Sequence, residues 1–442
     1  MLNCEGNWVP NFLTIPRVLW RRRTLERSCR WSRSELLARQ AVGVTQLRRF
    51  AVERSPFYRR FHAGCDGHAL SELPVLTKSV LMENFDEVVT DRSVRLRDAE
   101  AFLATEADGL FRDRYVVLAT SGSTGLRGVF LFDPSEWIDA LARITRPMLW
   151  AGVAPNSFRR RRMAMLASTT ASHYSCQVGR SLASPYLPTL RMDAGDPVES
   201  MVARLNEWQP DVLAVYPSVL RQLALEQIAG HLRIRPYKVA TSAEVLTTED
   251  RRRAREAWGV HVFDTYGGTE YAPIAAECEY GAKHLFEDGA VIEIERDRVL
   301  LTVLERRTQP LIRYEISDVV RSVEGDCECG RPFRLIESVE GRVEDVLAFG
   351  EIRVHPNRFH EVLERAPVAG WQVISDGDGV RVLLTGLREA AAGSAVAEAV
   401  RAMLAREGIT VGVRVVEVER LERGATGKAP LIVAKCRSGG RA

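Results

Sequence analysis

Two hydrophobic rhythms alternate along the middle of the chain. Short apolar runs bounded by polar or glycine-containing stretches predict buried strands at Tyr115–Ala119, Val129–Phe132, Arg162–Ser168, Asp211–Tyr216, Lys238–Ser242 and Val260–Asp264. Between them, Glu136–Trp150, Val219–Gln227 and Thr248–Trp258 carry the spacing of helices. Strands alternating with helices predict an α/β domain whose sheet is largely parallel, and in such sheets ligands gather at the carboxyl ends of the strands. Upstream, Leu36, Leu37, Ala41, Val44, Leu47 and Phe50 recur at helical spacing, so Ser34–Arg60 reads as one amphipathic helix or two, ended by Ser55-Pro56-Phe57-Tyr58. Thr77 is placed to cap the next helix. After Glu344 the pattern changes to short strands (Ile352–Val354, Trp371–Ile374, Val380–Leu384, Val411–Val418) and two helices (Pro356–Arg365, Ala395–Arg406), which predicts a small α+β domain.

Composition narrows the class. A chain of 442 residues, 46% hydrophobic and 27% charged, is a soluble globular protein of two or three domains. The formal charge of +3 does not point to nucleic acid. The arginine runs Arg21–Arg23, Arg159–Arg162 and Arg251–Arg253 lack interleaved aromatics and read as solvated faces or loops. The apolar stretch Phe12–Trp20 precedes its arginines, the reverse of a signal peptide, and no run approaches the roughly 20 apolar residues of a membrane span. Eight cysteines, scattered except for Cys327-x-Cys329, argue for a reducing cytoplasm.

The candidate chemistry sits at the strand ends. Thr120-Ser121-Gly122-Ser123-Thr124-Gly125 lies between two strands and offers hydroxyls and close backbone approach to phosphate. It is not a P-loop, because no Gly-Lys-Ser/Thr follows at the required spacing. A second strand end presents Ser242-Ala243-Glu244, and a third Asp264-Thr265-Tyr266-Gly267-Gly268-Thr269-Glu270. Together they offer a nucleotide an aromatic ring for its base, carboxylates for magnesium and hydroxyls for its phosphates.

Six blocks in order then resemble the adenylate-forming superfamily of acyl-CoA synthetases, luciferases and peptide-synthetase adenylation domains, within it the phenylacetate-CoA ligase-like branch. They are Leu73–Lys78, the Thr120 loop, Tyr266–Glu270, Arg313–Asp318, Gly341–Asp345 and Gly424–Ala429. The resemblance implies a large N-terminal adenylation domain, residues 1–343, and a mobile C-terminal lid, residues 344–442, hinged at Glu344 or Asp345. It implies ATP, with the 120–125 loop cradling phosphates and Glu270 holding Mg²⁺. Tyr266 would stack on adenine beside Ala243 and Glu244, with Asp264, Gly267 and Thr269 from the same block. Asp318 would take the ribose hydroxyls, Arg342 assisting, and Lys428 would bridge substrate carboxylate and α-phosphate. Two departures stand out: Leu126-Arg127 replaces the usual Pro-Lys, and Glu315-Ile316-Ser317 is an unusual insert in the ribose block.

The branch favours aromatic acids, and the expected pocket wall is His173, Tyr174, Tyr216, Pro217, Ala240 and Gly267. The acceptor is coenzyme A, a carrier-protein thiol or an amine. Activation of an oxyacid such as nitrite and a non-catalytic nucleotide-binding relative are the alternatives. A homodimer is allowed; no nucleic-acid or membrane partner is expected. Cys327-x-Cys329 with Cys278 and His284 makes a Cys₃His set suited to a structural zinc, buried inert thiols being the alternative.

Overall fold

The structure, a computed structural model, describes residues 14–434 except 106–108, 121–125, 154–159, 185–186, 296–297, 343–345, 355, 365, 376–378, 388–390 and 424–427. The helical spacing upstream resolves into two helices, Arg33–Arg54 and Pro56–Phe61, broken at Ser55, which accepts from the Tyr58 amide as the second helix's cap. Thr77 caps Lys78–Glu83 through the Val80 amide, as its position predicts. The first two apolar runs, β1 (Val116–Ala119) and β2 (Val129–Phe132), form a wholly buried antiparallel ribbon. The stretch that joins them is the phosphate-type loop.

Five strands then pair in parallel: β3 (Met163–Ala167), β4 (Thr189–Asp193), β5 (Val212–Val215), β6 (Lys238–Ser242) and β7 (Val262–Gly268). The helices Tyr174–Ser181, Val198–Trp208, Pro217–Ile228 and Thr248–Trp258 lie in their four crossovers, as parallel pairing requires. The largely parallel sheet expected from the alternation is only half of what forms. After β7 the chain turns back at Thr269–Tyr271 with no helix, and β8 (Ala272–Glu277), β9 (Lys283–Leu285), β13 (Asp318–Val323) and β14 (Leu335–Arg342) add antiparallel. The nine-stranded order is β13-β14-β9-β8-β7-β6-β5-β3-β4. A separate sheet of β10 (Ala290–Glu295), β11 (Arg298–Val303) and β12 (Tyr314–Ile316) lies beside it.

The arginine runs are less solvated than their sequence suggests. Arg21 reaches Asp139 at 2.5 Å and also Glu305, while Arg253 is buried. Arg143 and Arg146, both sealed in the core, converge on the buried carboxylate of Asp288, and Arg146 stacks over Phe286. The planar guanidinium can stack on rings while pairing with carboxylates, so arginine enters cores where lysine would not.

The smaller C-terminal unit has its own core. β15 (Leu347–Phe349) and β16 (Ile352–Val354) form a ribbon. A four-stranded sheet, β19 (Gly412–Glu417), β18 (Gly379–Leu387), β17 (Val368–Ser375) and β20 (Ile432–Ala434), packs on the helices Pro356–Leu363 and Ala392–Arg406. Phe359, Trp371, Val382, Val396 and Val400 meet there. Among the described residues no helix is long and apolar enough to cross a membrane.

Candidate active site

The carboxyl ends of β3, β5, β6 and β7 lie side by side in the sheet and frame the candidate cleft, and Lys428 and Ala429, ahead of β20, meet residues at those ends. At the end of β6, Ala243 adopts φ 73°, a left-handed conformation that a residue with a Cβ seldom takes, and this aims the next side chain, Glu244, back at the cleft wall. Glu244 accepts from the Ser218 amide at 2.8 Å, at the start of the helix opened by Pro217, and from the Ala429 amide at 3.1 Å. The second bond spans the two units. Burial raises the Glu244 pKa, and Lys428 nearby works against that shift.

Lys428 follows directly from that contact: its ammonium lies 5.7 Å from the centre of the Tyr216 ring. Tyr216 in turn accepts from the Ser168 amide at the end of β3, 3.1 Å away. Ser168 Oγ is 2.6 Å from His173 Nδ1. His173 caps no helix bond of its own but stands at the mouth of Tyr174–Ser181. Its pKa is pushed down to about 4, by burial first, then by Lys428 and Arg127. The imidazole is therefore neutral near pH 7. Arg127 donates to Ser172 Oγ at 2.9 Å, so the residue that replaces the family's lysine stays at the same cleft. Tyr174 turns away from this group, its ring 5.6 Å from Trp137 and its hydroxyl on the Ala140 carbonyl. Ala240 sits half-buried within β6.

The nucleotide-type residues form a second cluster. β7 runs on through Tyr266 to Gly268, so these are strand residues and not loop residues. Gly267 is required there: a Cβ would stand 2.6 Å from the Ala272 carbonyl of the returning strand. A Cβ on Gly268 would collide with Glu270 Oε2, and the missing side chain lets the buried Glu270 lie against the turn at Thr269. Tyr314 OH lies 3.5 Å from Glu270. Tyr266 donates its phenol proton to Asp318 at 2.8 Å. Asp264 is engaged differently: Lys283 Nζ at 2.5 Å and Thr241 at 3.0 Å hold its carboxylate inside the sheet. Arg342 stands opposite Asp318 in the backbone register of β13 and β14. Thr120 accepts the Gly128 amide at 2.8 Å, which closes the base of the phosphate-type loop. Ser121, Gly122, Ser123, Thr124 and Gly125, like the hinge candidates Glu344 and Asp345, lie outside the described residues.

Some residues that hold the site together carried no sequence signal. Arg253 donates to the carbonyls of Ala369 (2.9 Å) and Val368 (3.0 Å), and Arg423 to that of Ala194 (2.9 Å). These bonds seat the C-terminal unit on the cleft, and only a fold that brings positions far apart in sequence together reveals them. The four residues of the Cys₃His set do assemble, about the far end of the β13–β14 hairpin.

No protein-family model matches the chain. It is 24% identical to the phenylacetate-coenzyme A ligase of Thermus thermophilus over 378 residues, 78% of this chain and 80% of that one. It is also 24% identical to the enzyme of that name from Pseudomonas putida, over 70% of this chain and 71% of that one. Among solved structures, 2-hydroxyisobutyryl-CoA ligase in its postadenylation state superposes with a TM-score of 0.69, 18% identity and 90% of each chain covered. The same ligase in its thioesterification state gives 0.54 at equal coverage and identity. Over most of its length the chain is thus similar in sequence to phenylacetate-coenzyme A ligases and shares the fold of an acyl-CoA ligase.

Proposed function

We propose that the chain joins a small aromatic carboxylic acid to coenzyme A through an acyl adenylate. In the first half-reaction a carboxylate oxygen attacks the α-phosphorus of ATP, the bond to the β-phosphate breaks and pyrophosphate leaves. In the second, the coenzyme A sulfur attacks the acyl carbonyl, AMP departs with the anhydride oxygen, and the thiol proton passes to solvent.

One observation carries this reading: Lys428, shortly before β20, has its ammonium 5.7 Å from the Tyr216 ring and close enough to act electrostatically on both His173 and Glu244. There Lys428 would hold the acid's carboxylate against the α-phosphate, removing the repulsion between two anions and fixing the line of attack. Arg127 adds positive charge on the same side. In this reading Tyr266, Ala243 and Glu244 enclose the adenine, Asp318 and Arg342 take the ribose, and Thr120 to Gly125 take the phosphates. Asp264 supports Thr241 and Lys283 from behind. Magnesium held at Glu270 would neutralise phosphate charge. The Tyr216 ring and the neutral His173 imidazole support a flat acid, with Pro217, Ala240 and Gly267 as small neighbours; Tyr174 contributes to the wall from behind. Residues 1–343 would bind ATP and acid, and residues 344–442 would act as the lid, pivoting at Glu344 or Asp345 to admit the thiol.

Acid-dependent pyrophosphate release from ATP, without thiol, across aryl acids, aliphatic acids, amino acids and nitrite tests the proposal. Release with an aryl acid, followed by thioester formation on adding coenzyme A, is the expected result. Release with nitrite alone would replace it by oxyacid activation. Lys428→Ala should slow pyrophosphate release by about 10²-fold or more while leaving thioester formation from preformed acyl adenylate nearly unchanged. An undiminished first step in that variant would remove Lys428 from the mechanism.

A further inference from the structure

Cys278, His284, Cys327 and Cys329 come together from well-separated parts of the chain, and their ligating atoms all lie within 4.8 Å of one another. Cys278 Sγ is 3.7 Å from Cys327 Sγ, and Cys329 Sγ is 3.2 Å from His284 Nε2. A tetrahedral zinc with ordinary bond lengths would set such sulfur pairs about 3.8 Å apart and sulfur–nitrogen pairs about 3.5 Å apart. A disulfide needs about 2.05 Å, and these cysteines are unbridged.

The surroundings complete the site. His284 Nδ1 faces the Phe333 carbonyl at 3.3 Å, which fixes the tautomer with its lone pair on Nε2. The Tyr280 amide points at Cys278 Sγ, 3.4 Å away, and would offset thiolate charge. Arg331 stacks over Trp150 and pairs with Glu279 at 2.8 Å, so a cation whose charge is shared with one carboxylate stands by a centre that three thiolates would leave net negative. Both cysteine turns end on a glycine in the left-handed region, Gly281 at φ 76° and Gly330 at φ 70°, which lets each chain double back around the sulfur.

We propose that this cluster is a structural zinc site that clamps the β13–β14 hairpin to β8 and β9. Cys278 directly follows β8, His284 lies on β9 opposite Leu335 of β14, and Cys327 and Cys329 occupy the turn between β13 and β14. The other end of that hairpin pairs Asp318 with Arg342, just before the proposed hinge. Zinc therefore holds from behind the ribbon that presents the ribose carboxylate. Only this last consequence rests on the ligase reading; metal binding does not.

Zinc content of the full chain, purified without chelator, should be about one ion per chain. Cys327→Ser and Cys329→Ser should lose it, whereas His284→Cys should keep it as a four-thiolate site. Amide hydrogen exchange across 318–342 should quicken at least tenfold on zinc loss, with β3, β5 and β6 unchanged. If the serine variants fail to fold, stepwise chelation of the wild-type protein supplies the same exchange comparison. A zinc-free protein with reactive thiols, a native Cys278–Cys327 disulfide, or zinc retained in the Cys327/Cys329 double variant would overturn the site. Zinc loss without faster exchange in the hairpin would overturn the clamp. Neither readout involves ATP or an acid, so a failed ligase assay leaves both intact.

Discussion

Tyr266 and Asp318, 52 positions apart in the chain, are joined by a 2.8 Å hydrogen bond from the phenol to the carboxylate. One end of β7 thereby sets the orientation of the first residue of β13, and the group expected to flank adenine steadies the group expected to take the ribose.

Tyr266→Phe keeps the ring and removes the donor. The loss of one hydrogen bond to a charged acceptor is about 1.5–3 kcal/mol, so the ATP affinity should fall by roughly 10- to 100-fold. Calorimetric titration with a non-hydrolysable ATP analogue checks this, and unchanged affinity would separate the bond from nucleotide binding.

Arg253 links the two units through the carbonyls of Val368 and Ala369. In Arg253→Ala those acceptors lose a charged donor only in the docked arrangement. Adenylation in a single turnover should slow by roughly tenfold, about 1.4 kcal/mol, while thioester formation from added acyl adenylate holds its rate. Equal slowing of both steps would mean that the contact is merely stabilising.

His173 offers a pH test. Its native pKa is pushed down to about 4 by burial, then Lys428 and Arg127, with Asp193 opposing. An unfolded histidine protonates near 6.5. Its contribution to stability is therefore complete above that value and is lost as pH falls toward 4. The ring should remain neutral at pH 5.5 in a site-specific NMR titration, and Lys428→Ala should raise its midpoint. An ordinary midpoint in the wild-type protein would place the imidazole in solvent.

Asp288 anchors the ionic core. Burial works against its charge, but Arg146 and Arg143 prevail and hold its carboxyl below the usual range. Ser28 adds a hydrogen bond at 2.6 Å from the first helix, Thr14–Ser28. Asp288→Asn takes from the buried Arg146 the carboxylate it pairs with, while Arg143 retains Asp139 and Glu305, and should destabilise the protein by about 3–5 kcal/mol in urea unfolding. The wild-type contribution is present above the ordinary carboxylate range and is lost as pH falls below it. A loss under about 1 kcal/mol would mean that water already serves these groups.

The sequence by itself determined many of the local elements and the resemblance to adenylate-forming enzymes. Apolar runs and helical spacing are properties of neighbouring residues, so β3, β5, β6 and the helices Pro217–Ile228 and Thr248–Trp258 were legible, as were Thr77 as a cap and the six blocks with their order, whereas β4 and the helices Tyr174–Ser181 and Val198–Trp208 were not. The linear pattern offered Cys278, His284, Cys327 and Cys329 as a candidate set beside inert thiols, and only the fold brought the four together. Tertiary structure alone decided how far β7 runs and that the sheet turns antiparallel beyond it, because a strand's direction depends on the partner it meets. It decided as well that Arg21 and Arg253 are engaged and not solvated, that Asp264 faces Lys283, and that Lys428 reaches Tyr216. Each of those is a contact between residues far apart in sequence, and spacing carries no information about which distant charge a side chain will find.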